Sequence, residues 1–386
     1  MDRVRIGIVG FGGMGSSHSE YLSRGEVPQA ELVAVADTAP ERLQYAREKF
    51  GGKVKVFESA GALFAAKAVD AILVATPHYD HPPIAIEAFK NGLHVLTEKP
   101  AGVYTRQVRE MNEAAAKSGK VFGIMFQMRT GGVYQKMRDL VNSSELGELR
   151  RCVYLCTDWF RSQCYYDSGG WRATWAGEGG GVLLNQCPHS LDVWQWICGM
   201  PKRVRAFCHF GKYHHIEVED DVTAYVEYPN GATGLFLATT GEAPGVNRLE
   251  VSGDRGMLTL EHGKLVFRRT RVSVAQWTQE TDQAFAGPEC WTCEVPGGSG
   301  GEQHRGVTKA FVNAILKGTP LVARGEEGLR SLELSNAMLL SAWTDQWVDL
   351  PINDSLFHEK LQERIKTSKF QKTAAGSTMD FSKSWK

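Results

Sequence analysis

The sequence predicts an α/β protein of two domains: an N-terminal, doubly wound parallel sheet, followed by an α+β domain built on a large, mostly antiparallel sheet. Three observations support this prediction. The first third of the chain alternates short apolar runs with stretches of helical spacing, which is typical of a parallel sheet. After about Met128, longer alternating runs are separated by turn signals, which favours antiparallel strands. The length of 386 residues is also long for one domain and suits two.

The first domain is expected over residues 1–127. Its apolar runs predict six strands, at Val4–Gly10, Leu32–Asp37, Val54–Phe57, Asp70–Thr76, His94–Thr97 and Val121–Phe126. Helical spacing and stop signals predict helices between them, at Met14–Ser23, Pro40–Phe50, His81–Lys90 and Thr105–Lys117. In such a fold the ligand lies at the carboxyl ends of the strands, so we expect the chemistry to concentrate there.

The second domain is expected over residues 128–366. A helix is predicted near Val133–Asn142, and alternation predicts strands at Arg150–Phe160, Arg203–Phe210, Thr223–Tyr228, Thr233–Thr239, Leu249–Ser252 and Met257–Glu261. Hairpin turns are predicted at Pro229–Ala232 and Gly253–Gly256. Two later helices, His304–Lys317 and Glu326–Gln346, should cover one face of the sheet. The polar tail, 367–386, lacks periodicity and is expected to be disordered or to lie on a partner.

The composition excludes several classes of partner. Hydrophobic residues make up 42% and charged residues 23%, and 44 basic residues balance 44 acidic ones. No net field would therefore draw the chain to nucleic acid or to an anionic membrane. No apolar run is long enough to span a bilayer, and the chain enters its first strand directly, which leaves no room for a signal peptide. We expect a cytoplasmic protein whose eight cysteines are thiols.

A phosphate-binding turn follows the first strand. Gly10, Gly12 and Gly15 form G-x-G-x-x-G at the start of a helical stretch, the pattern of a Rossmann dinucleotide-binding domain. Asp37 ends the second strand, at the distance where an acid grips the ribose hydroxyls of NAD. Because Thr38 follows it rather than Arg or Lys, we expect NAD to be preferred over NADP. A glycine-rich turn without a ligand is the alternative, which the strand–turn–helix context disfavours. The full set of expected cofactor contacts is Gly10, Phe11, Gly12, Gly13, Met14, Asp37, Thr76, Pro77, His81, Glu98, Lys99 and Gln127.

Two further motifs are more specific than the glycine fingerprint. Thr97-Glu98-Lys99-Pro100 ends the fifth strand, and a glycine run from Gly179 leads to Asn185 and His189. With these motifs the chain resembles the glucose–fructose oxidoreductase / inositol dehydrogenase family (Gfo/Idh/MocA) from the first strand to Pro351. The resemblance implies an NAD(P)-dependent dehydrogenase or reductase of sugars, cyclitols or their derivatives. It also implies dimers formed sheet to sheet, often paired into tetramers. A minority of similar proteins catalyse net hydrolysis through transient oxidation by bound NAD.

Lys99, His189 and Asn185 are the expected catalytic residues. The Lys99 ammonium can hydrogen-bond the reacting oxygen and stabilise developing alkoxide, and His189 is suited to be the general base. Asn185 lies four residues before His189, so the two side chains share a face if the segment is helical. The resemblance implies that an aspartate is common at position 185. The asparagine found here can orient a substrate or His189 but cannot take a proton. Asp192 is either an orienting partner of His189 or a favourable charge near a helix N-terminus.

Substrate contacts are expected at Tyr166, Trp171, Arg172, Asn185 and His189. The first three lie in an aromatic, polar and glycine-spaced segment, and sugar sites combine aromatic faces with fixed hydrogen-bond donors. An aromatic corner of the core is nearly as good an interpretation of that segment.

Two other clusters do not predict a site. A run of His214, His215, Glu217, Glu219, Asp220 and Asp221 favours a solvated turn over a metal site, since no ligand spacing typical of a metal is visible. Cys290 and Cys293 form a C-x-x-C without a second pair. We therefore predict no metal.

Three functions remain open from the residues: an NAD-dependent dehydrogenase of a sugar, glycoside or cyclitol; a hydrolase or lyase that keeps NAD bound and oxidises the sugar transiently; and a non-catalytic NAD sensor. Lys99 and His189 together disfavour the sensor. The sequence does not separate the first two.

Overall fold

The first domain contains the predicted parallel sheet. The computed structural model describes residues 2–298, 300–368 and 370. The six strands are β1 (Val4–Val9), β2 (Ala30–Ala36), β3 (Lys55–Phe57), β4 (Ala71–Val74), β5 (His94–Thr97) and β6 (Phe122–Ile124). All neighbours pair in parallel, in the order β3-β2-β1-β4-β5-β6. The doubly wound fold is confirmed, and the strand order reverses between β1 and β4, where a ligand crevice forms.

Five helices flank this sheet: α1 (Gly13–Ser23), α2 (Pro40–Phe50), α3 (Ala60–Ala65), α4 (His81–Lys90) and α5 (Thr105–Ser118). Four of them were predicted. The third was missed because six residues are too few to show helical periodicity. The serine that precedes it, Ser59, is a typical N-cap residue. Its hydroxyl accepts a hydrogen bond of 3.1 Å from the Ala62 amide.

The second domain is built on a nine-stranded sheet. Its strands are β7 (Leu149–Cys156), β8 (Arg203–Phe210), β9 (Glu219–Glu227), β10 (Thr233–Thr239), β11 (Asn247–Gly253), β12 (Gly256–Glu261), β13 (Lys264–Thr270), β14 (Cys290–Val295) and β15 (Val348–Asp349). The order is β14-β13-β12-β11-β7-β10-β9-β8-β15, and β7 with β10 is its parallel pair among otherwise antiparallel neighbours. Both predicted hairpins are confirmed. β7 ends at Cys156 rather than at Phe160, and β13 to β15 were not predicted.

The remaining helices are α6 (Gly132–Asn142), α7 (Gln163–Asp167), α8 (Val182–Asn185), α9 (Pro188–Cys198), α10 (Val274–Glu280), α11 (Gln303–Lys317), α12 (Gly328–Thr344) and α13 (Asp354–Thr367). α12 packs on the large sheet, as expected, and the Ala206 amide of β8 donates to the Ser341 hydroxyl of α12. The expectation for α11 was wrong. Val307, Phe311 and Val312 of α11 pack instead with Val4 and Ile6 of the parallel sheet.

The large sheet has one covered and one open face. The alternating apolar side chains on one face, those of Val204, Ala206, Val222, Ala224 and Val226, are buried in the core beneath the helices. Because side chains alternate along a strand, their neighbours form the open face. Phe207 is 56% exposed there and Leu235 is 37% exposed. Of the predicted tail, 367–386, residue 369 and residues 371–386 lie outside the described residues, and Thr367 is the last residue of α13.

Candidate active site

The three fingerprint glycines have three different surroundings. Gly10 has φ +91°, and a Cβ atom there would lie 2.6 Å from the Ala75 main chain. A Cβ atom on Gly15 would lie 1.9 Å from the Gly10 carbonyl oxygen, so this glycine allows α1 to pack closely on β1. A Cβ atom on Gly12 would meet no atom within 4 Å. Gly12 therefore borders open space at the N-terminus of α1, where a pyrophosphate would sit.

Asp37 closes one side of this loop. Its Oδ2 atom accepts from the Phe11 amide at 2.6 Å, and its Oδ1 atom accepts from the Ala39 amide at 2.9 Å. The Phe11 ring packs on Phe50 of α2, with 5.7 Å between centroids, and this contact holds the loop residue in place. Gly13 and Met14 are exposed at the start of α1. A half-buried carboxylate beside the glycine loop is suited to bind ribose hydroxyls.

The end of β4 is tied to the end of β5 by His81. Its Nε2 atom lies 2.8 Å from the Thr76 carbonyl oxygen, and its Nδ1 atom lies 2.7 Å from the Pro100 carbonyl oxygen. Burial lowers the pKa of His81 below its usual value. Pro77 follows Thr76 and begins the connection to α4. His81 therefore supports the crevice through main-chain contacts, and its direct contact with the cofactor stays a prediction.

Glu98 is buried in a hydrogen-bond network beneath the end of β5. Its Oε1 atom lies 2.7 Å from His18 Nε2, the other His18 nitrogen lies 2.7 Å from the Tyr21 hydroxyl, and that hydroxyl lies 2.9 Å from Thr308 Oγ1. Burial alone would raise the pKa of Glu98, but the hydrogen bond and charge of His18 outweigh it and lower the pKa to about 2. This buried network joins β5 to α1 and α11, and a direct contact of Glu98 with the cofactor stays a prediction.

Lys99 points into the crevice beside the second domain. Its Nζ atom donates a hydrogen bond of 3.0 Å to the main-chain oxygen of Asn185. Burial lowers the pKa of Lys99 below its usual value, and the charge of Glu98 opposes that shift. The peptide bond between Lys99 and Pro100 is cis. The position suits an ammonium that stabilises negative charge on a reacting oxygen.

His189 lies near Lys99 in the same crevice. Its Nε2 atom is 3.1 Å from Gln127 Nε2, and its ring packs edge-on against Phe126. Burial, together with the positive charge of Lys99, lowers the pKa of His189 well below 6.5. The imidazole is therefore neutral near pH 7, as a general base must be.

The Asn185 side chain contacts three neighbours, Glu178, Tyr165 and Gln186. Its Nδ2 atom donates a short hydrogen bond to Glu178 Oε1, and its Oδ1 atom accepts from the Tyr165 hydroxyl at 3.2 Å. The condition under which Asn185 and His189 would share a helix face is not met, because α8 ends at Asn185 and α9 begins at Pro188. The four-residue spacing therefore does not make these two side chains neighbours on one helix.

In the aromatic segment, Tyr165 rather than Tyr166 lies beside the candidate site, since its hydroxyl contacts Asn185 and Arg172. Tyr166 is 2% exposed, and its hydroxyl lies 2.7 Å from Thr240 Oγ1 in the core. The Tyr165 hydroxyl instead accepts from Arg172 Nη1 at 2.8 Å, and the Arg172 guanidinium lies over the Tyr165 ring. Trp171 packs edge-on against His78, with 5.4 Å between centroids. Arg172 and Trp171 therefore reach the crevice, whereas Tyr166 supports it from behind.

Asp192 does not orient His189. Its two oxygens accept from Arg129 Nη2 and Nε at 2.6 and 2.8 Å, and a second carboxylate, that of Glu327, also contacts Arg129. This buried group joins α9 to α12 and to the segment after β6. The capping-charge interpretation was also incomplete, since the partner of Asp192 is a guanidinium.

The acidic run near β9 is structural. Asp220 accepts from the amides of Lys212, Tyr213 and His214 at 2.8 to 3.1 Å and also contacts the His214 ring. Glu219 accepts from the amides of Gly181 and Leu183 at 2.8 and 3.0 Å, and burial raises its pKa to about 7.

In the described part of the chain, no group of three or more His, Cys, Asp or Glu side chains could hold a metal ion. Cys290 and Cys293 lie on the edge strand β14 as free thiols.

The crevice fits a dinucleotide. Polar atoms of three side chains around it are buried without a hydrogen-bond partner among the described residues: Thr76 Oγ1, Gln127 Oε1 and His189 Nδ1. These three atoms lie with Asp37 and the open space at Gly12 along the carboxyl ends of the parallel strands. A bound dinucleotide could supply their missing hydrogen-bond partners. The fold and site define a two-domain, dinucleotide-binding oxidoreductase.

Family comparison identifies the group within that class. Residues 4–126 match the oxidoreductase family with an NAD-binding Rossmann fold (GFO_IDH_MocA), and residues 134–259 match the GFO/IDH/MocA C-terminal domain. The chain belongs to the Gfo/Idh/MocA family of NAD-binding oxidoreductases. In the described ranges, no helix has both the length and the apolar character needed to cross a membrane.

Two of the similar proteins align over nearly the whole chain, and a third aligns over about half of it. D-glucoside 3-dehydrogenase of Escherichia coli is 27% identical over 90% of this chain and 97% of its own length. Inositol 2-dehydrogenase of Rubrobacter xylanophilus is 31% identical over 51% of this chain and 52% of its own. The WlbA dehydrogenase of Bordetella pertussis, solved with NADH and UDP-GlcNAcA, is 26% identical and covers 91% of this chain and 100% of its own, with a TM-score of 0.76.

Sequence reasoning missed four residues of the site: His78, Tyr165, Glu178 and Gln186. His78 is buried in a 3-10 turn, and its ring packs edge-on against Trp171. Gln186 donates a hydrogen bond of 3.2 Å to the Tyr165 hydroxyl. Their one common signal is nearness in sequence to a motif that was recognised. Glu178 in particular directly precedes the glycine run, yet a single carboxylate in a loop does not reveal its partner.

Proposed function

We propose that the protein is an NAD-dependent dehydrogenase that oxidises a secondary alcohol of a sugar, glycoside or cyclitol, with Lys99 and His189 acting on the alcohol oxygen. The single observation that carries the proposal is their placement. The half-buried Lys99 ammonium follows the end of β5, and the buried, neutral His189 imidazole lies near it and contacts Gln127 after β6. The names of the full-length relatives support the substrate class, since one acts on a D-glucoside and another was solved with a nucleotide sugar.

The residues of the chain divide the work. NAD, when bound, supplies the hydride acceptor. Lys99 donates a hydrogen bond to the alcohol oxygen and stabilises negative charge as the proton leaves. His189 takes that proton, because its pKa is low enough for it to be neutral. Tyr165, Arg172 and Trp171 form the wall that contacts the remaining hydroxyl groups and C–H faces of the substrate.

Cofactor choice follows from Asp37. A carboxylate at this position binds the adenosine ribose diol and repels a 2′-phosphate. Thr38 is exposed and uncharged, and so offers no cation to a phosphate. We therefore propose a preference for NAD over NADP.

Assembly and location belong to the same proposal. The open face of the large sheet carries exposed Phe207 and Leu235 on neighbouring parts of one surface, and such a face favours association with a second copy. We propose a closed homo-oligomer, a dimer or a tetramer, with this face at an interface. The cysteines are all free thiols, which favours the reducing conditions of the cytoplasm.

The test combines the purified protein with NAD and a panel of sugars, glycosides and cyclitols. Stoichiometric NADH with one class of substrate supports the dehydrogenase. Release of an aglycone without net NADH would instead indicate a hydrolase or lyase that recycles a bound cofactor. The absence of both, with NAD still bound, would indicate the sensor. Analysis of nucleotide that copurifies with the protein shows in addition whether the cofactor exchanges.

A further inference from the structure

The carboxylate of Glu178 is fixed at the entrance to the glycine run. The residue is 2% exposed. Its amide donates to the Thr174 oxygen at 2.9 Å, and its Oε2 atom accepts from the Ala173 amide at 2.6 Å. Its main-chain oxygen lies 3.4 Å from His78 Nδ1 in the first domain. Glu178 therefore has a defined geometry that is set by residues on both sides of the crevice.

The other oxygen of this carboxylate reaches the catalytic lysine through one residue. Glu178 Oε1 accepts from the Asn185 side-chain amide, and the main-chain oxygen of Asn185 accepts from Lys99 Nζ at 3.0 Å. The side-chain oxygen of Asn185 accepts from Tyr165 at 3.2 Å. Asn185 thus uses its donor toward Glu178 and its acceptors toward Tyr165 and Lys99.

This arrangement requires opposite roles at positions 178 and 185. A carboxylate accepts hydrogen bonds and does not donate them, whereas an amide side chain can donate. An aspartate at position 185 would place two carboxylates in contact, and one of them would then have to take up a proton. If neither carboxylate took up that proton, repulsion between the two negative charges would push residue 185, with its main-chain oxygen, away from Lys99.

We propose that Glu178 is a positioning residue, whose carboxylate orients the Asn185 amide and so holds the main-chain oxygen that anchors Lys99 in the crevice. The catalytic part of this inference rests on the proposed dehydrogenase function, whereas the pairing of Glu178 with Asn185 does not.

The same carboxylate also acts on Lys99 by its charge. The charged and titratable groups around the Lys99 ammonium are Glu98, Glu178, Arg161, Arg172, His78, Cys187, His189 and His304. Burial lowers the pKa of Lys99, the two glutamates raise it, and the two arginines lower it. Loss of the Glu178 charge therefore lowers that pKa further, so the ammonium is lost at a lower pH.

The experiment compares Glu178→Gln, Asn185→Asp and the double variant with the wild type. Each single change should lower kcat by about tenfold or more, because displacement of a catalytic group is costly. The double variant exchanges the amide and the carboxylate and should recover most of the loss. In Glu178→Gln the basic limb of kcat/KM should move to lower pH. Asn91→Asp is the matched control, since Asn91 donates to Glu87 in an exposed pair on the first domain, and it should leave kcat unchanged.

Urea unfolding of the same proteins gives a second measurement that needs no activity. The midpoint should fall in each single variant and rise again in the double variant. Such coupling in a protein without dehydrogenase activity would reject the proposed function and keep the pairing. Wild-type kcat and midpoint in Asn185→Asp would overturn the inference, as would a double variant no better than the worse single one. An unmoved basic limb in Glu178→Gln would overturn the positioning role. If Glu178→Gln alone does not fold, recovery of the double variant relative to Asn185→Asp is still required.

Discussion

The Lys99 ammonium donates a 3.0 Å hydrogen bond to the main-chain oxygen of Asn185, so the end of β5 in the first domain is joined directly to the end of α8 in the second. The contact sets the lysine at the boundary between the dinucleotide crevice and the aromatic wall. Hydride transfer requires the substrate carbon and the nicotinamide to meet at such a boundary. The proposed chemistry therefore depends on both domains.

Replacement of Lys99 by methionine should remove alkoxide stabilisation while retaining the apolar stem of the side chain. Loss of one such donor lowers kcat by about 10²–10³. NAD affinity, measured by fluorescence titration, should stay close to the wild-type value because the glycine loop and Asp37 are untouched. Lys90→Met is a suitable control, since the Lys90 side chain is 68% exposed on α4. Equal activity of the two variants would remove Lys99 from the mechanism.

His189→Ala should lower kcat by about 10²–10⁴, because the general base is lost. The sign of the pH effect follows from its pKa, which burial and Lys99 hold well below 6.5. Only the neutral imidazole accepts a proton, so wild-type kcat/KM should be level near pH 7 and fall at a pH well below 6.5. The acid limb should be lost or displaced in His189→Ala. The control is His262→Asn at an exposed position, which should leave the acid limb of kcat/KM unchanged. An unchanged acid limb in His189→Ala would show that another group causes it.

Asp37→Asn should reduce the preference for NAD over NADP. The neutral amide no longer repels a 2′-phosphate and still accepts one hydrogen bond from the loop that Asp37 holds through Phe11. The ratio of kcat/KM for the two cofactors is the measurement, with exposed Glu41→Gln on α2 as the control. A wild-type protein that clearly prefers NADP would contradict the role assigned to Asp37.

Phe207→Asp should weaken the association of subunits, because it places a charge on the open face of the large sheet. Light scattering at micromolar concentration should show the wild type as an oligomer and the variant shifted toward the monomer. Phe285→Asp is the control, since Phe285 is fully exposed in the loop between α10 and β14 and is not part of a strand. A monomeric wild type would reject the proposed assembly.

Much of the fold could be predicted because its signals are local. Alternation, helical spacing and glycine turns identified the six parallel strands and both hairpins, since these patterns reflect which side of an element is buried. The inward and outward faces of β8 to β10 could not be assigned in this way. Val204 and Phe207 are both apolar, and only the position of α12 decides that the first is buried and the second exposed. The packing of α11 on the first domain likewise depends on a return of the chain over a long separation.

The site was predicted where a motif specifies a backbone shape and missed where contacts cross between segments. Gly10, Gly15 and Asp37 lie in one strand–helix–strand unit, from β1 to the end of β2, so spacing located them. Asp192 and Glu98 illustrate the limit. Each carboxylate lies beside a recognised motif, but its partner, Arg129 or His18, is supplied by another element. Spacing along the chain cannot identify a partner that arrives from elsewhere in the fold.

The most direct test of the central claim, that Lys99 and His189 act together on one substrate oxygen, is a double-mutant cycle in kcat/KM with Lys99→Met, His189→Ala and the combined variant. Groups that act as a unit show losses that do not multiply. The account predicts that the combined variant is about as active as the weaker single variant, with NAD binding preserved in all three. Losses that multiply fully, or near-wild-type activity in either single variant, would contradict it.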